Sequence, residues 1–179
     1  LRVALALATQ YDLTAFAIDF EQAYLNAPLQ EQHLYMTGLA GLTAKDEKGH
    51  DMLLKIRKSL YGLPQSAYNW NTLVVQQLVG LGFQQLKTDP CAFVMWTPGD
   101  IQEKACPTMI LLYVDDILLL AKDKDIKDRI VSCLSKTCKL KDLGIANIFL
   151  GIQLEPGRVS THRWMKLRLT HYIEKMLKE

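Results

Sequence analysis

Long hydrophobic runs are missing from this 179-residue sequence. The longest apolar stretches near its middle, residues 109–114 and 117–121, are separated by two aspartates, and neither approaches the roughly 20 residues that a transmembrane helix needs. A large excess of one charge is missing too, because 21 Lys and Arg stand against 19 Asp and Glu. Dedicated nucleic-acid-binding modules are strongly basic. The charge balance therefore indicates no particular partner, and no membrane span is expected.

Metal-binding and disulfide patterns are missing among the cysteines and histidines. No Cys-x-x-Cys pair occurs, and the four histidines have no metal-ligand spacing to the four cysteines. We therefore expect reduced, mostly structural thiols in an intracellular protein. The cysteines are Cys91, Cys106, Cys133 and Cys138.

The composition is that of an ordinary globular domain. Hydrophobic residues make up 49% of the chain and charged residues 22%, which excludes collagen-like and wholly disordered chains. The length fits one domain, or one domain plus a fragment of another. The first residues, LRVALALA, imitate a secretory signal, but the run is short and no initiator Met precedes it. We expect instead a piece excised from a larger polypeptide.

Hydrophobic periodicity predicts helices mixed with strands and shows no internal repeat. Helices are predicted over residues 1–11, 66–79 and 125–136, and a last helix begins near residue 170. Strands are predicted over residues 15–21, 52–56, 92–96 and 148–154, and in the paired apolar runs at 109–114 and 117–121. We therefore predict an α+β domain, with a mainly antiparallel sheet backed by helices.

The most informative stretch is TMILLYVDDILLLAKD at residues 108–123. Two β-prone runs flank Asp115 and Asp116, which is the pattern of a hairpin with both acids at its tip. Adjacent carboxylates repel each other and are costly to bury, and a magnesium ion, which prefers oxygen ligands, would relieve that cost. The competing interpretation is a solvated turn, because Asp is a favoured turn residue.

A third acid strengthens the metal interpretation. The predicted strand at residues 15–21 has its large apolar residues on one face and Asp19 on the other. Three acids from two neighbouring strands suit a two-metal site with ions about 4 Å apart. Such a site indicates phosphoryl or nucleotidyl transfer. Another metal-dependent palm enzyme, such as a nucleotide cyclase, would share the paired acids on a hairpin.

Five short blocks occur in order along nearly the whole chain. They are DFEQAYLNAPL at 19–29, KSLYGLPQSAYNW at 58–70, YVDD at 113–116, FLGIQL at 149–154 and LTHYIEKML at 169–177. Together they resemble the reverse transcriptases of copia-type LTR retrotransposons, the pseudovirus family. A nucleotide cyclase offers no account of SLYGLPQ or FLGIQL. The resemblance implies an RNA-directed DNA polymerase that adds dNTPs to a primer 3′-hydroxyl with two Mg²⁺ ions, Mn²⁺ being an alternative.

The resemblance also implies which residues perform the chemistry. Asp19, Asp115 and Asp116 would be the catalytic, metal-binding aspartates of the polymerase palm. Tyr24 and Gln65 would bind the nucleotide. Tyr24 matches the aromatic residue under the incoming sugar, here called the gate, whose bulk excludes a 2′-hydroxyl. The plain alternatives are core packing for Tyr24 and a surface amide for Gln65.

A further set of residues is implied beside the primer. Its members are Tyr113, Val114, Phe149, Leu150 and Gly151. Gly151 allows a close backbone approach, which a nucleic-acid strand would use. For Phe149 and Leu150 the alternative is ordinary packing in a strand.

For the whole chain, residues 1–179, the resemblance implies a palm with part of the fingers, while the thumb and ribonuclease H are absent from it. The expected partners are an RNA or DNA template with its primer, dNTPs, and the rest of a Gag-Pol-type polyprotein with integrase and ribonuclease H. The expected location is a cytoplasmic virus-like particle or the nucleus.

Two residues depart from the family pattern. Glu21 stands where the family has Lys, which places an anion near a proposed triphosphate, and Pro64 also stands where Lys is usual. These departures favour an alternative, a catalytically inactive or domesticated retroelement remnant that only binds nucleic acid or a partner. The three intact aspartates favour the enzyme.

Overall fold

A computed structural model describes residues 1–29, 33–38, 45–97, 105–160 and 162–177. They form two compact units, one comprising Leu1–Glu21 with Val75–Glu179 and the other Gln22–Val74. The helices are α1 (Arg2–Tyr11), α2 (Ala23–Asn26), α3 (Ser66–Gly80), α4 (Lys124–Leu134) and α5 (Thr170–Met176). The strands are β1 (Thr14–Phe20), β2 (Tyr35–Met36), β3 (Leu54–Lys55), β4 (Gln84–Gln85), β5 (Ala92–Thr97), β6 (Cys106–Tyr113), β7 (Asp116–Ala121), β8 (Leu140–Ile145), β9 (Ile148–Phe149), β10 (Ile152–Val159) and β11 (His162–Arg168).

A six-stranded sheet forms the centre of the first unit. Its strand order is β4-β5-β6-β7-β1-β8, and every neighbouring pair is antiparallel. β6 and β7 form the hairpin that the paired apolar runs predict. Because β1 lies between β7 and β8, the first strand of the chain is next to that hairpin.

Both faces of this sheet are covered. On one face, Ala15 and Leu118 belong to a buried cluster with residues of α1, β9 and β10, namely Leu5, Ala8, Phe149 and Leu154. On the other face, α4 places the Lys127 ammonium 5.7 Å from the centroid of the Phe16 ring. Burial on two sides explains why β6 and β7 are continuous apolar runs rather than alternating ones.

Two smaller sheets complete the described structure. β9, β10 and β11 form a three-stranded antiparallel sheet in the first unit, and β2 pairs with β3 in the second. Across the ranges described above, no helix is long and apolar enough to cross a membrane.

The predicted class, α+β with a mainly antiparallel sheet, is confirmed. The helices predicted over residues 1–11, 66–79 and 125–136 correspond to α1, α3 and α4 within a few residues. The strand predicted over 52–56 is reduced to the two residues of β3.

The single strand predicted over residues 148–154 is wrong. The chain turns at Leu150 and Gly151, so that Phe149 of β9 pairs with Ile152 of β10. Both turn residues have positive φ, 51° at Leu150 and 76° at Gly151, a combination that suits a two-residue hairpin turn. Because Leu rarely adopts this region, Gly151 is the one residue of the pair by which the sequence indicates a turn.

Candidate active site

Asp19 and Asp116 lie opposite each other at one end of the six-stranded sheet. Asp19 is next to last in β1, Asp116 begins β7, and the two residues are register partners. Directly opposed residues of an antiparallel pair project their side chains on the same face. The two carboxyl groups are therefore neighbours on one face, and both residues are half-buried.

Asp115 lies in the turn between β6 and β7. Tyr113 pairs with Asp116 across the hairpin, which leaves Val114 and Asp115 as the two turn residues. The Phe20 amide donates a hydrogen bond to the Asp115 carbonyl at 2.9 Å, so the turn is tied to the end of β1. Val114 has a φ of 56°, a strained conformation for a β-branched residue.

Lys141 lies on the other side of Asp19. The two residues are register partners in β8 and β1, so the lysine side chain projects on the carboxylate face of the sheet. At this end of the sheet, four neighbouring strands therefore present a row of one aromatic, two acidic and one basic side chain, in the order Tyr113, Asp116, Asp19 and Lys141. Sequence reasoning missed Lys141, since no strand was predicted around it.

The charges in this row alter the acidity of the two paired aspartates. Partial burial raises the pKa of Asp19, and the negative charges of Asp115 and Glu21 raise it further, while Lys141 opposes them. Partial burial also raises the pKa of Asp116, with added repulsion from Asp115 and Asp19. The cluster therefore has an excess of negative charge that a cation would neutralise.

The donor set suits a hard divalent cation. The three aspartates offer carboxylate oxygens, the ligands that Mg²⁺ prefers, and repulsion among them contributes to the raised pKa values of Asp19 and Asp116. Within the part of the chain that the structure describes, no three His, Cys, Asp or Glu side chains form a ready-made metal-binding group. The aspartates fit such an ion by their chemistry and by their strand positions.

The two residues implied for the nucleotide belong to the second unit, Gln22–Val74. Tyr24 lies in α2, is half-buried, and its ring centroid is 4.8 Å from that of Tyr61 with a 47° angle between the ring planes. Gln65 directly precedes α3, and its carbonyl accepts a hydrogen bond from the Asn69 amide at 3.0 Å. The aspartates belong to the first unit.

The residues implied for the primer differ in exposure. Tyr113 is 57% exposed and Val114 42% exposed, both at the hairpin tip. Leu150 is 44% exposed, whereas Phe149 is only 6% exposed, because it belongs to the buried cluster that contains Ala15 and Leu118 of the sheet. The packing interpretation therefore describes the Phe149 side chain. It also means that Phe149 anchors the Leu150–Gly151 turn to the sheet face that carries the aspartates.

Comparison with known proteins distinguishes between the polymerase and the other palm enzymes. The family described as reverse transcriptase (RNA-dependent DNA polymerase) matches residues 1–179, the whole chain. The chain belongs to the reverse transcriptase family. It is 32% identical over 178 residues to the retrovirus-related Pol polyprotein from transposon TNT 1-94 of Nicotiana tabacum. It is 30% identical over 161 residues to the corresponding polyprotein from transposon RE1 of Arabidopsis thaliana.

These matches confirm the predicted resemblance to copia-type reverse transcriptases. They cover 99% and 90% of this chain but only 13% and 10% of the two relatives. The chain therefore spans about an eighth of the length of the first relative and a tenth of the second. No solved structure matches it.

Proposed function

We propose that this chain carries the polymerase active centre of a copia-type reverse transcriptase. The reaction is attack of a primer 3′-hydroxyl on the α-phosphate of a dNTP, with release of pyrophosphate. The observation that carries the proposal is the register pairing of Asp19 with Asp116. It brings acids from two separate family blocks to one face of one sheet end, beside the turn that holds Asp115.

Asp19, Asp115 and Asp116 would hold two Mg²⁺ ions, or Mn²⁺ in their place. Bound ions would activate the attacking hydroxyl and stabilise charge on the leaving phosphate oxygens. The role of the chain itself would be to hold the three aspartates at one end of the sheet. The hydrogen bond from the Phe20 amide to the Asp115 carbonyl and the hairpin of two apolar strands would make that end of the sheet rigid.

The division of the chain supports a palm and part of the fingers. The first unit contains the sheet and the aspartates, and we assign it to the palm. The second unit, Gln22–Val74, contains Tyr24 and Gln65, and we assign it to the fingers, where Tyr24 is the gate for deoxynucleotides and Gln65 contacts the nucleotide.

The primer would lie along the carboxylate face. Tyr113 and Val114 are exposed at the hairpin tip. The Leu150–Gly151 turn directly follows Phe149, which is buried against the same face of the sheet. The backbone of this turn could therefore approach a nucleic-acid strand on that face. The proposed partners are an RNA or DNA template with its primer, dNTPs, and the remainder of a Pol polyprotein. Integrase and ribonuclease H would belong to that remainder, and a cytoplasmic virus-like particle or the nucleus would be the location.

One observation favours the alternative of an inactive remnant. Glu21 is exposed, and its negative charge raises the pKa of Asp19. An exposed anion beside the proposed metal site would repel an incoming triphosphate, which disfavours nucleotidyl transfer. Such a remnant would bind nucleic acid or a partner without extending a primer.

Primer extension on a poly(A) template with oligo(dT) tests the proposal. The polypeptide to use is the one encoded by the whole reading frame that contains this chain. We expect magnesium-dependent extension that Asp115→Asn reduces by at least about 100-fold, the range seen when a key electrostatic group is removed. Asp125→Asn, the same change at an exposed residue of α4, is the matched control and should keep full activity. Equal extension by wild type and Asp115→Asn contradicts the proposal, and no extension by wild type supports the remnant.

A further inference from the structure

Tyr61 makes the ring contact with Tyr24 described above. It comes from the block KSLYGLPQSAYNW and remains 61% exposed. A tyrosine that is largely open to solvent contributes little to a core. The contact therefore needs an explanation other than burial.

The segment before Tyr61 is bound to the segment that follows Tyr24. The Leu29 amide donates to the Arg57 carbonyl at 3.2 Å, and the Ser59 amide donates to the Ala27 carbonyl at 3.0 Å. Pro28 and Lys58 form the antiparallel bridge between these two hydrogen bonds. Residues 27–29, which follow Tyr24, and residues 57–59, which precede Tyr61, thus form a short antiparallel ladder.

Buried polar groups hold the same segment against α3. Ser59 is completely buried and its hydroxyl accepts a hydrogen bond from the Asn69 side-chain amide at 3.2 Å. The Ser66 hydroxyl donates to the Leu60 carbonyl at 2.6 Å. Breaking either bond would leave a buried polar group without a partner, which is costly. The backbone leading into Tyr61 is therefore fixed.

Tyr24 has less local support. Its helix, α2, has only four residues, far below the length at which a helix is stable by itself. Its N-cap, Gln22, has a left-handed φ of 53°, and the helix ends immediately at Ala27. The position of the Tyr24 ring therefore depends on its neighbours rather than on a regular helix.

We propose that Tyr61 is a positioning residue that holds the Tyr24 ring in the orientation required to select deoxynucleotides. The inference rests on the proposed function, in which Tyr24 excludes the 2′-hydroxyl. A gate discriminates by steric bulk, so it works only if the ring cannot move aside. Tyr61 supplies an aromatic surface on one side of that ring, and the backbone that leads into Tyr61 is held in place.

The expected size of the effect follows from the energy of one aromatic pair. Loss of such a contact corresponds to roughly a two- to tenfold change in an equilibrium or rate ratio. Replacing Tyr61 should therefore weaken selectivity without abolishing polymerisation.

The experiment measures kcat/KM for dTTP and for UTP on poly(A) with oligo(dT), using the polypeptide of the whole reading frame. Tyr61→Ala is expected to lower the dTTP-to-UTP ratio by roughly two- to tenfold, mainly through more efficient use of UTP. Tyr61→Phe keeps the ring and should retain the wild-type ratio. Tyr68→Ala, at another exposed tyrosine on α3, is the matched control. A merely structural role for Tyr61 would lower both kcat/KM values together.

Two further variants separate the possible failures. If Tyr24→Ala lowers the ratio but Tyr61→Ala leaves it unchanged, the positioning role is wrong and the gate stands. If Tyr24→Ala leaves the ratio unchanged while Asp115→Asn abolishes extension, the gate and its positioning residue are both wrong and the polymerase stands.

A measurement on the 179-residue chain needs no activity. With ring-labelled tyrosine, NMR should show a proton contact between Tyr24 and Tyr61, and Tyr61→Ala should change the Tyr24 ring resonances while Tyr68→Ala does not. Absence of that contact in the wild-type chain overturns the proposal.

Discussion

Asp19 and Asp116 are register partners on adjacent antiparallel strands, although they are far apart in the sequence. Partial burial raises the pKa of each carboxyl group, and repulsion from Asp115 raises both pKa values further. Without a cation, this end of the sheet holds like charges together at a cost in folding free energy. Under the proposed function, a bound divalent cation would offset that cost in the folded chain.

The first prediction concerns stability with and without magnesium. In a chelator, Asp116→Asn should raise the free energy of unfolding by roughly 0.2–1 kcal/mol, a small gain because solvent screens partly exposed charges. In excess MgCl₂ the order should reverse, since an ion that binds only the folded state stabilises it by mass action. Urea denaturation under both conditions measures the difference.

Asp125→Asn is the matched control because it removes the same charge from an exposed position on α4. Its unfolding free energy should respond to magnesium as the wild type does. The metal assignment is contradicted if wild type and Asp116→Asn gain the same stability from magnesium.

The second prediction concerns strain at Val114. A left-handed conformation costs an ordinary residue roughly 1–2 kcal/mol, and glycine recovers most of this while losing up to about 1 kcal/mol through its flexibility. Val114→Gly should therefore leave the unfolding free energy unchanged or raise it by up to about 1 kcal/mol. Primer extension should fall, because a looser turn holds Asp115 less firmly.

Val3→Gly provides the contrast for this substitution. Val3 is 75% exposed on α1 and has no left-handed strain to relieve, so the change should lower the unfolding free energy by roughly 0.3–0.5 kcal/mol, the difference between the helix propensities of Val and Gly. Equal losses at Val3 and Val114, measured by urea denaturation, would mean that the hairpin turn stores no strain.

The sequence predicted the β6–β7 hairpin and β1 because local signals agree there. Apolar runs surround Asp115 and Asp116, and the residues around Asp19 alternate. Both features depend on neighbours in the chain. The pairing of Asp19 with Asp116 is a long-range register. The acids on the two strands and the order of the family blocks indicated that the strands are neighbours, but not which residues pair.

The parts that were missed contain irregular backbone. β8 has a register shift opposite Ala17 and Ile18, with Gly144 at a φ of 76°, and such a bulge interrupts the alternation by which a strand is recognised. Lys141 was missed for this reason. The Leu150 turn was missed because an apolar residue occupies a conformation that turn statistics assign to Gly or Asn.

The third prediction concerns Lys141 and the titration of Asp19. Lys141 lowers the pKa of Asp19 against the effects that raise it, so Lys141→Gln should raise that pKa further. A raised pKa favours the protonated carboxyl in the folded state. Magnesium binding should therefore require a higher pH in the variant than in the wild type. Carboxyl ¹³C NMR gives the Asp19 titration directly.

Lys136→Gln is the matched control, at an exposed lysine beyond the end of α4. It should leave the Asp19 titration unchanged. Identical Asp19 titration curves for the two variants would show that Lys141 does not act on the carboxylate face.

The last prediction concerns the buried Lys127 on the opposite face of the sheet. Its ammonium contacts Asp142 of β8 and lies 2.8 Å from an Asp128 oxygen. Lys127→Met keeps most of the apolar length of the side chain but leaves Asp142 without its cation. Because Asp142 is one-third exposed, water replaces part of that interaction, and the loss in unfolding free energy should be roughly 1–3 kcal/mol, below the value for a fully buried pair.

The pH dependence of this loss has a definite sign. The Lys127 hydrogen bond lowers the pKa of Asp142, and bonding to Asp128 and Asp142 raises that of Lys127. A carboxyl group whose pKa is lowered by folding stabilises the fold above its unfolded pKa, and that stability is lost as the pH falls through the folded value. The difference between wild type and Lys127→Met should therefore shrink on acidification below the ordinary Asp pKa of 3.8.

Lys122→Met, at an exposed lysine before α4, should show no such change. A Lys127→Met deficit that is constant from neutral to acid pH would mean that the lysine stabilises the sheet through its contact with the Phe16 ring rather than through its ion pair with Asp142.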